Sequence, residues 1–193
     1  MTIRLSPLNH RWQLADLTRY KVAVEVGTHR GVFAEELSRV RGPGGLQYCV
    51  DPWVPYPGDR LLADRGADRT EDYREAERLL ATYARVGRVV LLRQRSPDAA
   101  AMFKSGEADL VYVDGSHERY DVAEDLVGWW PIVRPGGLLA GHDFVTPGET
   151  FNDGVQAAVL EFASARGLDV LLIPENAPDT AGQPWSWYLE KPK

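Results

Sequence analysis

Two patterns of apolar positions alternate along the chain. Short runs of consecutive apolar residues are bounded by turn residues, and between them apolar residues recur at helical spacing. Residues 9–19 fit a short amphipathic helix ahead of the first run, Val22-Ala23-Val24-Glu25-Val26, which reads as a strand buried on both faces and ending in a turn at Gly27. Residues 31–41 carry Val32, Phe33, Leu37 and Val40 at helical spacing, and Gly42-Pro43-Gly44-Gly45 stops that helix. A second strand covers 46–50 and ends at Asp51-Pro52. A helix follows over 71–85 and a third strand over 89–92. Ser96 as N-cap and Pro97 at the first helical position predict a helix near 97–104. The fourth strand, 110–113, ends at Asp114. A helix over 117–130 carries Val122, Leu126, Trp129 and Trp130. Pro135-Gly136-Gly137 turns into a fifth strand over 138–141, and a helix over 150–166 leads to closing strands at 169–173 and 186–190.

Alternating strands and helices predict an α/β fold with a mostly parallel sheet. The loop over 174–185 is rich in Pro, Asn, Asp and Gly and too short for a helical crossover, so the last two strands should run antiparallel. Residues 53–70 interrupt the pattern with Pro55, Pro57, Gly58 and Gly66 among many charges. They read as a surface excursion or lid on a single domain spanning 1–193.

Composition narrows the class. With 193 residues, 44% hydrophobic and 26% charged, the chain is long enough and apolar enough to bury one core. Its net charge of -6 and the lack of a basic tract disfavour a nucleic-acid partner. Cys49 is a lone thiol in an apolar run, which fits a core position and a reducing compartment. The N-terminal segment has no long apolar stretch of the kind a signal or membrane anchor needs. The expectation is a cytoplasmic protein with no membrane partner and with a homodimer as one option.

Candidate chemistry collects where strands end. Gly27 permits a tight turn and close ligand approach, and Gly31 lets the next helix start close to the sheet. In open α/β sheets ligands bind at the carboxyl ends of strands, beside the switch point. Asp51, at the end of the second strand, can accept hydrogen bonds from both hydroxyls of a ribose, although an Asp-Pro turn would present the same residues.

The segments VEVGTHRG, CVDPW and ADLVYVDGSHERYDVAEDLVGWWPIVRPGGLLAGHDF, taken in order, resemble the class I S-adenosylmethionine-dependent methyltransferases. They are closest to a compact subgroup with Asp-Gly-x-His and Gly-His-Asp-aromatic motifs. The resemblance covers roughly residues 20–165. It implies a Rossmann-like three-layer α/β sandwich with a seven-stranded, mostly parallel sheet and the last strand antiparallel, in agreement with the strand reading. It also implies S-adenosylmethionine as cofactor, held by Glu25, Gly27, Thr28, His29, Gly31, Asp51, Trp53, Ser96 and Asp114. Within that set the Glu25 carboxylate lies near the amino group of the methionine moiety, Asp51 holds the ribose, Trp53 packs on the adenosine, and Ser96 lies near the adenine with Arg95 beside it. Asp114 faces the reaction centre. Many members carry a second glycine where this chain has His29, which either contacts the amino-acid end of the cofactor or faces solvent.

Methyl transfer to an alcohol or phenol needs a base, or a metal that lowers the acceptor's pKa. Asp114, His117, His142 and Asp143 follow adjacent strands and should share one rim. Two arrangements stay open. A divalent metal could be held by Asp114, His142 and Asp143, as in catechol-type and sugar O-methyltransferases. There the pair ending the fifth strand is acidic, and its replacement by His-Asp favours Mn²⁺ or another transition metal over Mg²⁺. Alternatively His117 or His142 serves as a metal-free general base. Each residue also has a structural reading, as a strand-end turn, a helix cap or a satisfied buried histidine. The expected acceptor is a small molecule bearing a hydroxyl. A non-catalytic nucleoside-binding module is the main alternative. A nicotinamide-dependent oxidoreductase is disfavoured by His29 at the second glycine position.

Overall fold

A computed structural model describes residues 1–54, 69–144, 153–174 and 185–193 of the chain. Its strands are β1 (Ile3–Leu5), β2 (Val22–Val26), β3 (Leu46–Val50), β4 (Val89–Leu92), β5 (Ala108–Val113), β6 (Val133–Phe144), β7 (Val170–Ile173) and β8 (Trp185–Glu190). They form one sheet in the order β1-β7-β8-β6-β5-β2-β3-β4. All neighbours are parallel except β8, which runs antiparallel to both β6 and β7. The expected parallel core and antiparallel closing strand are therefore present.

The sheet has eight strands, one more than the sequence predicts. The extra strand, β1, has all three residues exposed and pairs with β7 from Ile3↔Val170 to Leu5↔Leu172. An exposed edge strand, held by backbone bonds and by the Arg4–Asp169 ion pair at 3.1 Å, carries no burial signature in its sequence.

Successive residues of the central strands point to opposite faces, and each face is covered by its own helices. Leu110, Tyr112, Ala23 and Tyr188 pack with α1 (Leu14–Thr18) and α2 (Val32–Arg41). Val111, Val113, Val24 and Trp187 pack with α4 (Ser96–Ala100), α5 (Arg119–Trp129) and α6 (Asp153–Arg166). A smaller cluster joins Ala34, Cys49 and Val89 to Leu80 of α3 (Thr70–Arg85), and Cys49 is fully buried as expected. At the opposite end of the sheet from the strand ends that carry the candidate chemistry, the Asp109 carboxylate accepts from Lys21 N at 2.7 Å and Val22 N at 3.0 Å and pairs with Arg134. That one side chain ties together the amino ends of three neighbouring strands.

Several boundaries differ from expectation. Pro135-Gly136-Gly137 does not precede a strand but lies inside the twelve-residue β6, where the register against β5 shifts between Ala108 and Leu110. A Cβ at Gly137 would lie 2.9 Å from the Asp109 carbonyl oxygen, so glycine allows the two strands to close there. The helix expected near 97–104 stops at Ala100 and has Arg95, not Ser96, at its N-cap. Residues 55–68 of the expected excursion, 145–152 of the loop and helix start after β6, and most of the loop before β8 lie outside the described residues.

Candidate active site

Strand order reverses between β2 and β5, since the chain from β2 continues outward to β3 and β4 and then crosses back. Gly27 stands at this reversal with φ 90°, and a Cβ there would lie 2.1 Å from the Asp114 carbonyl oxygen. Only glycine lets the ends of β2 and β5 meet this closely. Gly31 also has a positive φ, 82°, but the close approach it permits is to Leu80 of α3, whose Cδ1 would lie 3.0 Å from an added Cβ. The sequence reading placed that approach at the sheet. The difference arises because α3 packs over the start of α2.

A cleft of about 450 Å³ opens at the carboxyl ends of β2, β3, β4 and β5. Glu25, Gly27, Thr28, His29, Asp51, Ser96, Asp114 and His117 line it, which brings together most of the residues singled out by sequence. Glu25 is 2% exposed and accepts a hydrogen bond from Thr28 Oγ1 at 3.1 Å. Burial, reinforced by the nearby Asp114 charge, pushes the Glu25 carboxyl well above the usual carboxylate range.

Asp51 sits at the turn after β3. Its Oδ2 accepts from His29 N at 3.0 Å and its Oδ1 from Trp53 N at 2.8 Å, and Arg69 approaches Oδ1 at 3.3 Å. The carboxylate thus pins two loops to each other as well as lining the cleft. Trp53 is placed differently from its expected role against a nucleoside. It is fully buried, does not line the cleft, donates Nε1–H to the His29 carbonyl at 2.6 Å and packs edge-on against Tyr73 of α3. Its left-handed backbone, φ 44°, turns the indole away from the cleft. His29 Nε2 lies 3.4 Å from Asp72 on α3, with its side chain 55% exposed.

At the β4 end, Ser96 Oγ donates to Asp125 of α5 and accepts from Trp129 Nε1 at 2.8 Å. The serine that the sequence suggests as a helix cap is instead locked by α5. Burial raises the Asp125 carboxyl to about 7, so it is shared between its neutral and charged forms near neutral pH.

Beyond Asp114 the second cluster forms. His117 Nε2 lies 2.9 Å from Asp143 Oδ2. One ligand-type atom from each of Asp114, His117 and Asp143 lies within 4.8 Å of the others. Asp143 has φ 58° at the point where β6 shifts register against β8, between Gly141 and Phe144. Aspartate tolerates this left-handed conformation. The break in strand alternation separates Asp143 from its neighbour: His142 Nδ1 lies 3.1 Å from Ser186 Oγ of β8, and His142 neither lines the cleft nor joins the cluster. The metal set expected from sequence, Asp114 with His142 and Asp143, is therefore not brought together, and His117 stands in the place foreseen for His142.

The electrostatics follow from this geometry. Burial and the Asp143 charge raise Asp114 to about 6, although Arg11 and His117 oppose the shift. The bond to Asp143 raises His117 above the ordinary histidine value. Burial works against ionisation of Asp143, but the hydrogen bond from His117, with the Arg11 charge nearby, outweighs it and holds its carboxyl below the usual range. Burial, with Arg11 nearby, lowers His142 to about 4, so it is neutral at physiological pH.

Charged residues that the sequence reading does not single out also line the cleft, Arg11 and Asp125 among them. Arg11, from the 3-10 turn Arg11–Gln13 ahead of α1, has Nη1 3.6 Å from Asp114 Oδ2. Arg69, at the end of the expected 53–70 excursion, lines the cleft as well. No local spacing marks Arg11 or Asp125, because each reaches the cleft only through helix packing.

A methyltransferase domain family matches residues 24–144, well over half of the chain. No curated protein matches the sequence. Among solved structures, an O-methyltransferase from Bacillus cereus, solved with S-adenosylhomocysteine, is 15% identical, with 93% of this chain and 78% of that one covered and a TM-score of 0.66. The O-methyltransferase TomG from Streptomyces achromogenes, involved in tomaymycin synthesis and solved with S-adenosylmethionine, is 18% identical over 93% of this chain and 77% of its own, with a TM-score of 0.63. A protein from Corynebacterium glutamicum is 16% identical over 97% and 83%, with a TM-score of 0.67. At these identities the structural likeness carries the fold, and the span matched by the family runs from within β2 to the end of β6 and holds most of the cleft's lining. The chain belongs to the methyltransferase domain family.

Proposed function

We propose that this protein transfers the methyl group of S-adenosylmethionine to a hydroxyl of a small-molecule acceptor. One observation carries the reading: Asp114 belongs at once to the cleft at the strand reversal and to the cluster with His117 and Asp143. A donor site and a group able to take an acceptor's proton are thereby joined. The donor set suits the cofactor. Glu25, Asp51 and Asp114 are three carboxyl groups lining one cleft, and a ligand carrying an ammonium and a sulfonium offsets their mutual repulsion. When bound, that cofactor supplies an activated methyl carbon. The neighbouring O-methyltransferases solved with S-adenosylhomocysteine and S-adenosylmethionine support the same choice of donor.

The chain's own contribution is to bind, orient and move a proton. Glu25 faces the ammonium of the donor. Asp51 offers its remaining acceptor capacity to the ribose, with Arg69 yielding its long contact. Ser96 and Asp125 border the base. His117, oriented and made more basic by its 2.9 Å contact with Asp143, takes the acceptor's proton. A second reading rests on the compactness of the same cluster. Asp114, His117 and Asp143 could hold a divalent cation that acts as a Lewis acid on the acceptor oxygen. One imidazole among carboxylates favours Mn²⁺, Fe²⁺ or Zn²⁺ over Mg²⁺.

The test is transfer of labelled methyl from S-adenosylmethionine to a panel of phenols and sugars, with matched amines as comparison, before and after chelation. Product on hydroxyl acceptors is expected. Loss on chelation and recovery with Mn²⁺ would select the cation, whereas unchanged turnover would select the His117–Asp143 pair. Product confined to amines would overturn O-methylation.

A further inference from the structure

The contact between His117 and Asp143 depends on an irregularity in β6, and the side chain that shapes it comes from β8. Gly141 pairs with Trp187 and Phe144 with Trp185, so His142 and Asp143 together face the single residue Ser186. Two residues opposite one make a β-bulge. Side-chain alternation agrees. Leu139 and Phe144 both pack into the core cluster that holds Trp187, although residues five apart point to opposite faces of a regular strand. Without the extra residue Asp143 would share the face of Leu139 and point into that core. With it, and with a left-handed φ of 58°, the Asp143 carboxylate reaches His117 Nε2 at 2.9 Å.

Trp187 closes on the bulge. Its indole is fully buried and lies over Gly141, where an added Cβ would be 2.5 Å from Cζ2. The same Cβ would lie 2.5 Å from the Val113 carbonyl oxygen, so only glycine lets the indole and β5 share that space. Trp187 Nε1–H donates to the His142 carbonyl at 3.0 Å. That carbonyl belongs to the peptide joining His142 to Asp143, so the bond fixes the plane from which Asp143 departs. Ser186 Oγ, in contact with Tyr112 Oη at 3.0 Å, holds the other end of His142 through Nδ1 at 3.1 Å. Trp187 itself does not line the cleft.

We propose that Trp187 is a positioning residue: its indole N–H sets the bulge in β6 that aims Asp143 at His117. The kinetic consequence rests on the proposed methyl transfer, while the geometric one stands without it. The role is the same whether the pair takes a proton or helps to hold a cation. Core packing alone is the competing role, and it predicts no effect of the N–H once the shape of the ring is kept.

Replacement of Trp187 by 3-benzothienylalanine keeps that shape and removes the N–H, and Trp187→Phe is a second variant that removes it by ordinary mutagenesis. Nitrogen–proton correlation spectra of the His117 ring, recorded on chelated protein, report its bond to Asp143, and Asp143→Asn supplies the reference for a broken pair. The single-turnover rate of methyl transfer is measured beside the calorimetric affinity for S-adenosylhomocysteine. The analogue should move the His117 ring nitrogens toward their positions in Asp143→Asn. It should slow transfer about tenfold or more, as a displaced reacting group does, and leave affinity within about threefold. A His117 spectrum unchanged by the analogue would overturn the assignment, as would a rate within about twofold of wild type or a parallel loss of rate and affinity. If the wild type transfers no methyl group, the proposed function fails, and the His117 spectrum alone then decides the role of Trp187.

Discussion

His117 and His142 are equivalent candidates in the sequence, each next to a strand end and each near an aspartate. Their surroundings separate them. His117 borders the cleft and meets Asp143 at 2.9 Å, while His142 turns back to Ser186 and burial keeps it neutral. Replacing His117 with Ala should lower kcat by at least about a hundredfold, the usual contribution of a positioned base. His142→Gln should lower it less than about tenfold, since Gln can still meet the Ser186 hydroxyl. Steady-state kinetics on both variants, with thermal melts to exclude unfolding, would reveal the reverse ranking if His142 were the reacting group. The sequence shows Asp51, Asp114 and His117 as candidates because each follows an apolar run and strand ends converge in this fold, and the family resemblance adds Glu25. It does not show Arg11, whose placement depends on the N-terminal turn folding onto α2. It misplaces Trp53 because a left-handed backbone at that residue sends the ring inward to Tyr73.

At the scale of elements, the long apolar runs identify β2 through β6 because strands covered on both faces need no polar alternation. The short edge strand β1 has no such signature, and the glycines inside β6 read as a turn because local chemistry cannot reveal the bulge that a neighbouring strand imposes. The junction of β2 and β5 is the most constrained point. Gly27→Ala combines a left-handed φ of 90° with a Cβ 2.1 Å from a carbonyl oxygen. The expected cost is about 3 kcal/mol or more, with the loss of ligand binding as the cleft wall shifts. Gly128→Ala is the contrast: it lies in α5, where an added Cβ meets nothing within 4 Å, and should stabilise by up to about 1 kcal/mol. Denaturant midpoints of the two variants measure both effects, and similar stabilities would contradict the close strand crossing.

The whole molecule divides its functions between opposite ends of the central strands of one sheet. The end held by Asp109 ties strands together, and the opposite end gathers ionisable groups around an opening. Buried carboxyl groups are costly in a stable fold unless a ligand uses them. Glu25 expresses that cost most directly. Its raised pKa keeps it protonated to higher pH in the empty cleft, and an adjacent ammonium would favour its ionised form. Ligand binding should then release a proton, and affinity should rise with pH until the pH exceeds the Glu25 pKa of the empty protein. None of the described helices is long and apolar enough to cross a membrane.

The measurement that tests the central claim most directly is calorimetric titration with S-adenosylhomocysteine in two buffers of different ionisation enthalpy. Binding in about the micromolar range, with a buffer-dependent heat that reports proton release and disappears in Glu25→Gln, is the predicted result. No binding at any pH between about 6 and 9 would contradict the assignment of the cleft to this cofactor.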